Sequence, residues 1–331
     1  MQTILVTGGA GYIGSHTVLA LSAAGYRPVV IDDLSTGHRR AVGADVPFHL
    51  GCVGDTALVA AIIAEHDIGS IMHFAGSVIV PESVANPLFY YDNNTINSHR
   101  LLGAALAAGV ERFIFSSSAA VYGIPAIMPV AEDAPTRPIN PYGRSKLMTE
   151  WMLTDAAVAN RLDFGILRYF NVAGADPGGR SGPDRARPSH LVEVAMDAVR
   201  GRRDGVVVAG TDYATADGSC VRDYVHVSDL ADAHVAAIRA LLAKPGQSFT
   251  LNIGYGHGFS VIEVLDAVDR ALGRTLGRST GPRRAGDPDA LIADNRALCG
   301  ILGWTPKHDS IDAIIRDAIA WAVKLDRLNA A

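Results

Sequence analysis

The sequence predicts an α/β fold, a doubly wound parallel sheet that carries a smaller C-terminal α/β lobe. Short β-branched runs alternate with segments whose apolar residues recur at helical spacing, which is typical of successive β-α-β units. A glycine-rich turn joins the first of these runs to the first helical segment. With 331 residues, a single hydrophobic core would be near its practical limit, so two lobes are expected.

The first half of the chain contains most of the sheet. Strands are predicted at 4–7, 28–31, 70–74, 112–116 and 164–168. Helices are predicted between them at 13–24, 57–65, 93–108 and 142–159. Gly25 and Gly109 follow two of these helices, at the place where a left-handed residue commonly ends a helix.

The second half begins with a change of composition. Residues 174–188 are rich in Gly, Pro, Asp and Arg, which indicates a long loop near the lobe boundary. Helices are predicted at 228–242, 260–272 and 311–328, and a strand at 249–253. We therefore expect one lobe over 1–172 and another over 173–331, with some segments after 222 packed back on the first.

Charge and hydropathy exclude two classes of partner. The net charge of −5 and the absence of a dense run of Lys or Arg argue against nucleic acid. Charges or glycines interrupt every apolar run before the ~20 residues that a membrane-spanning helix requires, so no membrane contact is expected. The N-terminal residues lack a basic stretch and are predicted to form the first strand rather than a targeting signal.

Cysteine and histidine usage predicts a cytoplasmic protein without a metal. Cys52, Cys220 and Cys299 are odd in number and far apart, which fits a reducing compartment, and each is expected to be buried. The 11 histidines include no HExxH or comparable ligand spacing.

The glycine-rich turn, TGGAGYIG at 7–14, is typical of a Rossmann-like dinucleotide domain. Gly8 permits a tight turn, Gly11 lets the backbone approach a pyrophosphate, and Gly14 lets the helix pack closely on the strand. The helix N-terminus then offers oriented N–H groups to the phosphates. An ordinary glycine turn has the same composition, so the surrounding elements decide between the two interpretations.

Asp32 closes the second predicted strand and predicts the cofactor. A carboxylate at this place accepts hydrogen bonds from the ribose hydroxyls of adenosine and repels a 2′-phosphate, so NAD is expected rather than NADP. The alternative is that Asp32 only caps the following turn.

Tyr142 and Lys146 are the candidate chemical groups. They lie four residues apart at the start of a predicted helix and therefore on one face. We expect the lysine ammonium and an oxidised nicotinamide to keep the pKa of Tyr142 low, so that its phenolate takes a proton from a sugar hydroxyl. Ser118 follows a predicted strand, where ligands bind in doubly wound sheets, and is a candidate proton relay. Each of these patterns alone is also typical of a solvated helix face or a turn.

Taken in this order, the motifs resemble the extended short-chain dehydrogenase/reductase family and, within it, the UDP-galactose 4-epimerases. Further matching segments are HFAG at 73–76, SSSAAVYG at 116–123, PYGRSKLMTE at 141–150, LRYFNVAGA at 167–175 and VRDYVHVSDLADAHV at 221–235. The resemblance implies reversible C4 epimerisation of UDP-glucose and UDP-galactose through a transient 4-keto sugar with tightly bound NAD. It also implies an NAD-binding domain over 1–172 and a nucleotide-sugar lobe over 173–331.

The resemblance assigns roles to matching positions. Ser118, Tyr142 and Lys146 would be catalytic. The residues that would line NAD are Gly8, Gly11, Tyr12, Ile13, Asp32, Phe74, Ala75, Gly76, Asn93, Tyr142, Lys146, Tyr169 and Phe170. Those that would hold the UDP-sugar are Ser118, Asn171, His190, Arg222, Arg284, Asp287 and Leu291. Without the resemblance, surface ion pairing, for example of Arg222 with Asp223, would be the simpler interpretation of the arginines.

Several finer points stay open. Leu291, of intermediate size, is expected to make N-acetylated sugars poor substrates, and Cys52 stands where family members usually have an Asp facing adenine. The resemblance implies a homodimer joined through helices 93–108 and 142–159, whose apolar stripes could equally belong to the core. Alternative activities are C4 epimerisation of UDP-arabinose or UDP-xylose, UDP-glucuronate or UDP-GlcNAc. A non-catalytic NAD-sensing protein is the alternative from another class, although a sensor needs neither Tyr142 nor Lys146.

Overall fold

The computed structural model describes residues 2–284 and 286–330. In chain order the strands are β1 (Thr3–Thr7), β2 (Arg27–Asp32), β3 (Phe48–Leu50), β4 (Ser70–His73), β5 (Arg112–Ser118), β6 (Asp163–Tyr169), β7 (Asn171–Ala173), β8 (Val206–Ala209), β9 (Val221–Arg222), β10 (Tyr224–His226), β11 (Phe249–Ile253), β12 (Phe259–Ser260), β13 (Arg278–Gly281) and β14 (Ala290–Leu291).

The helices alternate with the strands over most of the chain. They are α1 (Tyr12–Ala23), α2 (Thr56–His66), α3 (Val80–Ala85), α4 (Pro87–Tyr90), α5 (Asn97–Ala107), α6 (Pro141–Ala159), α7 (Leu191–Val199), α8 (Val227–Ala243), α9 (Val261–Leu272), α10 (Arg296–Leu302) and α11 (Ile311–Ala330). A π-helical turn, Tyr91–Ile96, leads directly into α5. Within the described residues, every helix is too short or too polar to span a bilayer.

Seven strands form one parallel sheet in the order β3-β2-β1-β4-β5-β6-β11. The order reverses between β1 and β4, and such a switch point opens a crevice at the carboxyl ends of the strands. The predicted doubly wound sheet is confirmed, and the predicted strands agree with the observed ones to within two residues at each end. Strand β3 was not predicted because three residues are too few for a period to show.

Both faces of the sheet are covered by helices. Along β1, Ile4 and Val6 face the cluster that includes α1 and α8, while Leu5 faces the cluster that includes α2 and α5. A parallel strand buried on both sides has to be apolar at successive positions, which explains the continuous apolar run of β1.

Elements of the second half join the first half as well as building their own small sheets. Strand β11 pairs with β6 at the edge of the main sheet, and helix α8 packs against α1. The remaining strands form three small sheets, which are β10-β7, β12-β9-β14 and β13-β8. The lobe boundary at 172/173 stays a prediction.

Some local expectations were wrong. Helices α3, α4, α7 and α10 were not predicted, and the helix expected from residue 93 begins instead as the π-helical turn Tyr91–Ile96. Cys220 is buried as expected, but Cys52 and Cys299 are exposed. The expectation that these two cysteines are buried rested on residue type alone, and residue type alone does not decide burial.

The glycine-rich turn packs backbone against backbone. A Cβ on Gly14 would lie 2.2 Å from the carbonyl oxygen of Gly8. Gly8 itself has φ +67°, and a Cβ there would lie 2.7 Å from the amide nitrogen of Ala75. Because these neighbours are backbone atoms, they cannot turn away, and side chains at both positions are excluded.

We expect Gly14→Ala to destabilise the fold by about 1–3 kcal/mol, since the added methyl group overpacks a rigid contact. Gly103→Ala is the matched control, because Gly103 also lies in a helix but has no atom within 4 Å of its ideal Cβ. The control is expected to gain about 0.5–1 kcal/mol from the higher helix propensity of alanine. Urea unfolding measures the free energy of unfolding of both variants. An equal change in the two would contradict the close contact at Gly14.

Four buried histidines make the fold sensitive to acid. Burial lowers the pKa of His73 to about 3 and those of His16, His226 and His234 to about 4. Between these values and 6.5 the unfolded chain binds protons that the folded chain does not, so the free energy of unfolding falls as the pH falls. Burial raises the pKa of Asp223 to about 6, which partly offsets this trend.

Between pH 7.5 and pH 5.5 each of the four histidines is expected to remove about 1.4 kcal/mol of stability. The variant His73→Gln should therefore lose less stability than the wild type over this interval, by about that amount. His99→Gln is the control, because His99 is exposed. Urea unfolding at the two pH values tests this, and a stability that rises toward pH 5.5 would refute the assignment.

Candidate active site

One cavity of about 1870 Å³ runs along the carboxyl ends of the central strands. It is lined by every residue that the sequence singled out as catalytic, cofactor-binding or ligand-binding, from Gly8 in the glycine turn to Leu291 in β14. The cavity also contains side chains that the sequence did not single out, among them Ser77, Arg185 and Glu193. The structure thus brings the predicted residues together, and what each one binds stays a prediction.

The glycine turn forms one end of the cavity. Helix α1 begins at Tyr12 with Gly11 as its N-cap, and no side chain of the described chain caps it. Its first N–H groups therefore remain available to an anion. The Tyr12 hydroxyl donates to the carbonyl oxygen of Gly174 at 2.7 Å, which ties the turn to the loop after β7.

Asp32 shapes the turn and also lies on the cavity wall. Its two carboxylate oxygens accept hydrogen bonds from the amides of Ala10 at 2.9 Å and Leu34 at 2.8 Å. Each oxygen keeps a second lone pair, so the capping role leaves acceptors for a ligand. Burial raises the pKa of Asp32. The two interpretations of this residue are therefore compatible.

Helix α6 positions Tyr142 and Lys146 on the cavity wall. The Asn140 side chain caps the helix by accepting a hydrogen bond from the amide of Gly143 at 2.8 Å. Lys146 is buried, and its Nζ donates to the carbonyl oxygen of Ser116 at 2.8 Å and lies 6.0 Å from the centre of the Tyr142 ring. Burial lowers the pKa of Lys146 to about 8.

The pKa of Tyr142 differs from the expectation. Burial raises it above its usual value, while a hydrogen bond with Ser118 and the charge of Arg185 act in the opposite direction. The expectation that Lys146 keeps this pKa low is wrong for the protein by itself. The reason is that the phenol is shielded from water, which disfavours its charged form more strongly than the neighbouring groups favour it.

The π-helical turn builds another part of the wall. In it, the Asn94 side chain accepts from the amide of Ser77 at 2.8 Å and donates to the carbonyl oxygen of Ser77 at 2.9 Å. The neighbouring Asn93 donates to the Ser77 hydroxyl at 2.9 Å. The wider turn presents adjacent asparagines to one serine, and such turns are frequent at functional sites.

Aromatic side chains close the wall at the ends of β4 and β6. The ring of Phe74 lies 4.8 Å from that of His234, and the Tyr169 hydroxyl forms a hydrogen bond with Nε2 of the same histidine. Phe170 follows and donates its amide to the carbonyl oxygen of Ile253 at 3.2 Å. The contacts with His234 hold the side chains of Phe74 and Tyr169 in place.

Arg222 is held at the other end of the cavity. Its Nη1 donates to the carbonyl oxygens of Val221 at 2.8 Å and Pro288 at 2.9 Å, and its Nη2 lies 3.5 Å from Asp287. This buried Nη2 has no hydrogen-bond partner within the described part of the chain. Asp223 does not pair with Arg222, so the surface ion pair considered from the sequence was wrong.

Asp223 binds backbone instead. Its carboxylate accepts from the amides of Tyr255 at 2.9 Å and Gly256 at 3.0 Å, and its backbone carbonyl accepts from the amide of Asn171 at 2.9 Å. Asn171 is thereby placed on the cavity wall at the start of β7.

The loop before α7 and the start of that helix supply His190, which the sequence analysis singled out, and two residues that it did not, Arg185 and Glu193. His190 is the N-cap residue of α7, and burial lowers the pKa of its imidazole. Arg185 lies five residues earlier, and Glu193 lies in the first turn of α7. Because the loop has no periodicity, no pattern marked Arg185 among the arginines of this segment.

The fold and this cavity together define a class of protein, the Rossmann-like enzymes with a dinucleotide cofactor. The chain belongs to the NAD dependent epimerase/dehydratase family, whose model matches residues 4–254.

Individual relatives agree with this assignment. A UDP-glucose 4-epimerase of Azospirillum brasilense is 52% identical over 324 residues, which are 98% of this chain and 93% of that protein. The structure of UDP-glucose-4-epimerase from Stenotrophomonas maltophila, with bound NAD and formylated UDP-arabinopyranose, is 39% identical with a TM-score of 0.95, over 99% of this chain and 100% of that chain. The enzyme from Bifidobacterium longum, in complex with NAD+ and UDP, is 40% identical with a TM-score of 0.93 over 98% of each chain.

Proposed function

We propose that the chain reversibly inverts carbon 4 of UDP-glucose and UDP-galactose, with NAD as a resident cofactor. The observation that carries the proposal is the meeting of Tyr142, Ser118 and Lys146 with the glycine turn and Arg222 in a single cavity. Relatives up to 52% identical over nearly the whole chain carry the name UDP-glucose 4-epimerase.

The residues present fit NAD. Gly8 and Gly14 leave no room for side chains, and the uncapped start of α1 offers N–H groups to a diphosphate. Asp32 would hold the adenosine ribose, and Lys146, which has two further donors besides the one given to Ser116, would hold the nicotinamide ribose. When bound, NAD accepts hydride from carbon 4 and returns it, and it places a positive charge beside Tyr142.

Tyr142 is the proposed base. Its phenolate takes the proton of the 4-hydroxyl, directly or through Ser118, whose hydroxyl also accepts a hydrogen bond from the amide of Ala120 at 3.2 Å. Burial raises the pKa of Tyr142 in the protein alone, and the positive charge of a bound oxidised nicotinamide would favour the phenolate.

Arg222, Arg284 and Asp287 are proposed to anchor the UDP moiety while the sugar turns. The forked guanidinium of arginine suits the oxygens of a diphosphate. After oxidation the 4-keto sugar rotates about its bond to the anchored diphosphate and presents its other face. Hydride then returns to carbon 4 and the proton to the oxygen on that carbon, so the net redox change is zero.

We further propose a homodimer and a cytoplasmic location. Exposed apolar side chains cluster on α4, the π-helical turn and α6, which contact one another; they are Leu88, Phe89, Ile96, Trp151 and Val158. Contiguous apolar patches of this kind mark interfaces. The free thiols of Cys52 and Cys299 are exposed, which fits a reducing compartment.

The variant Tyr142→Phe is expected to lower kcat for UDP-galactose by about 10²–10⁴-fold because it lacks the base. Binding of UDP, measured by calorimetry, should remain within about threefold, since that hydroxyl does not contact the diphosphate. Tyr26→Phe is the control, because Tyr26 follows α1 and does not line the cavity. Near-normal turnover by Tyr142→Phe would remove the proposed base.

Leu291 is expected to make UDP-GlcNAc a poor substrate, because it narrows the sugar pocket. Turnover of UDP-GlcNAc should be at least about tenfold below that of UDP-glucose, and Leu291→Ala should narrow this difference. Turnover of the two sugar nucleotides is measured by following their products by NMR without added reductant. Comparable turnover of the two sugars by the wild type would refute the size argument.

Trp151→Glu is expected to convert the dimer to a monomer, because a charge would then face the apolar patch. Trp151 is 57% exposed in the single chain, and Ile301 on α10 is 52% exposed, so Ile301→Glu is a matched control. Light scattering during size exclusion measures the mass, and a wild type that elutes as a monomer would refute the dimer.

A further inference from the structure

Among the described residues, three arginine–carboxylate pairs have both members on the cavity wall; they are Arg40–Asp184, Arg185–Glu193 and Arg222–Asp287. Only the pair of Arg222 has a role in the function proposed above. Arg185 lies in the loop before α7, and its partner Glu193 lies in the first turn of that helix. Their closest atoms, Nη1 and Oε1, are 3.5 Å apart, and Glu193 is only 9% exposed. Both side chains border the cavity.

The hydrogen bonding of this pair is incomplete. Within the described residues, the buried Nη1 of Arg185 and both carboxylate oxygens of Glu193 have no hydrogen-bond partner. A buried carboxylate without hydrogen bonds is unfavourable, and a loosely paired buried ion pair contributes little to stability. Stability therefore does not explain why this pair lies here.

The same arrangement occurs at Arg222. Its Nη2 also lies 3.5 Å from a carboxylate, that of Asp287, and also lacks a hydrogen-bond partner among the described residues. In each pair an arginine on the cavity wall lies 3.5 Å from a carboxylate. Such a loose pair allows a competing anion to take the place of the carboxylate. This parallel suggests that Arg185, like Arg222, binds an anionic ligand.

The position of Arg185 indicates which anion. Arg185 lines the same cavity as Tyr12 of the glycine turn, the proposed base Tyr142 and His190 at the start of α7. Its positive charge also opposes the rise that burial causes in the pKa of Tyr142. Both ligands of the proposed function carry a diphosphate, and the planar fork of a guanidinium matches two phosphate oxygens.

We propose that Arg185 binds a diphosphate in the cavity and that its ion pair with Glu193 breaks when this ligand binds. The choice of diphosphate rests on the function proposed above. Glu193 then competes with the ligand for one guanidinium, so removal of the two charges must have opposite effects on binding. If the pair were merely structural, either substitution would weaken binding.

Calorimetric titration with UDP tests this on the purified full-length protein, with bound NAD measured after acid release. Arg185→Gln is expected to raise the Kd for UDP by at least about tenfold, and Arg185→Lys to retain part of the affinity. Glu193→Gln is expected to lower the Kd by about two- to threefold, since the competing charge is gone. Arg274→Gln is the control, because Arg274 is exposed and does not line the cavity.

The two measurements distinguish the sources of the diphosphate. Weaker UDP binding with unchanged NAD content assigns Arg185 to the sugar nucleotide, and loss of NAD with unchanged UDP affinity assigns it to the cofactor. Either result supports the proposal when Glu193→Gln acts in the opposite sense. Unchanged UDP affinity and NAD content in Arg185→Gln, equal losses in Arg274→Gln, or weaker binding in Glu193→Gln would overturn it.

The failure of this inference is separable from that of the proposed function. Turnover of UDP-galactose by the wild type decides the function irrespective of Arg185. If the wild type interconverts the sugars and Arg185→Gln changes neither UDP affinity nor NAD content, only the proposed role of this arginine is refuted.

Discussion

The approach of Gly14 to the carbonyl oxygen of Gly8 is the contact on which the site depends. No Cβ fits there, so helix α1 starts directly above the end of β1 and beside the turn that follows β4. β1 and β4 are also the strands between which the sheet order reverses. The crevice at this switch point is thus lined at its base by backbone N–H groups, which is the surface that phosphates require.

Two kinds of charged pair serve different purposes in this fold. Glu150 and Arg168 form a buried pair with two hydrogen bonds, at 3.0 Å and 2.7 Å, and Arg168 also donates to the Tyr122 hydroxyl at 2.8 Å. This pair joins α6 to β6 and helps to hold the helix of Tyr142 on the sheet. Arg185 and Arg222 instead lie 3.5 Å from their carboxylates, and in neither pair is the closest contact a hydrogen bond. The hydrogen-bonded pair of Glu150 and Arg168 holds two elements together, whereas these two pairs border the cavity.

Burial also sets the chemistry of the site before any ligand binds. It lowers the pKa of Lys146 and raises that of Tyr142, so both groups are pushed toward their neutral forms. A positive charge bound next to a phenol favours its ionised form and so acts against the effect of burial.

The sequence by itself determined the parallel sheet, the glycine turn and the Tyr142–Lys146 face, because each follows from local periodicity or from contacts between residues near in the chain. The order of its motifs also sufficed to indicate the family. Only the tertiary structure decided that Asp32 both caps a turn and faces the cavity, and that Arg222 pairs with Asp287 rather than Asp223. It alone revealed Arg185 and Glu193, since an aperiodic loop carries no pattern that tells which of its charges will be buried. Burial and the pairing of distant charges depend on how the whole chain packs, and local sequence does not encode them.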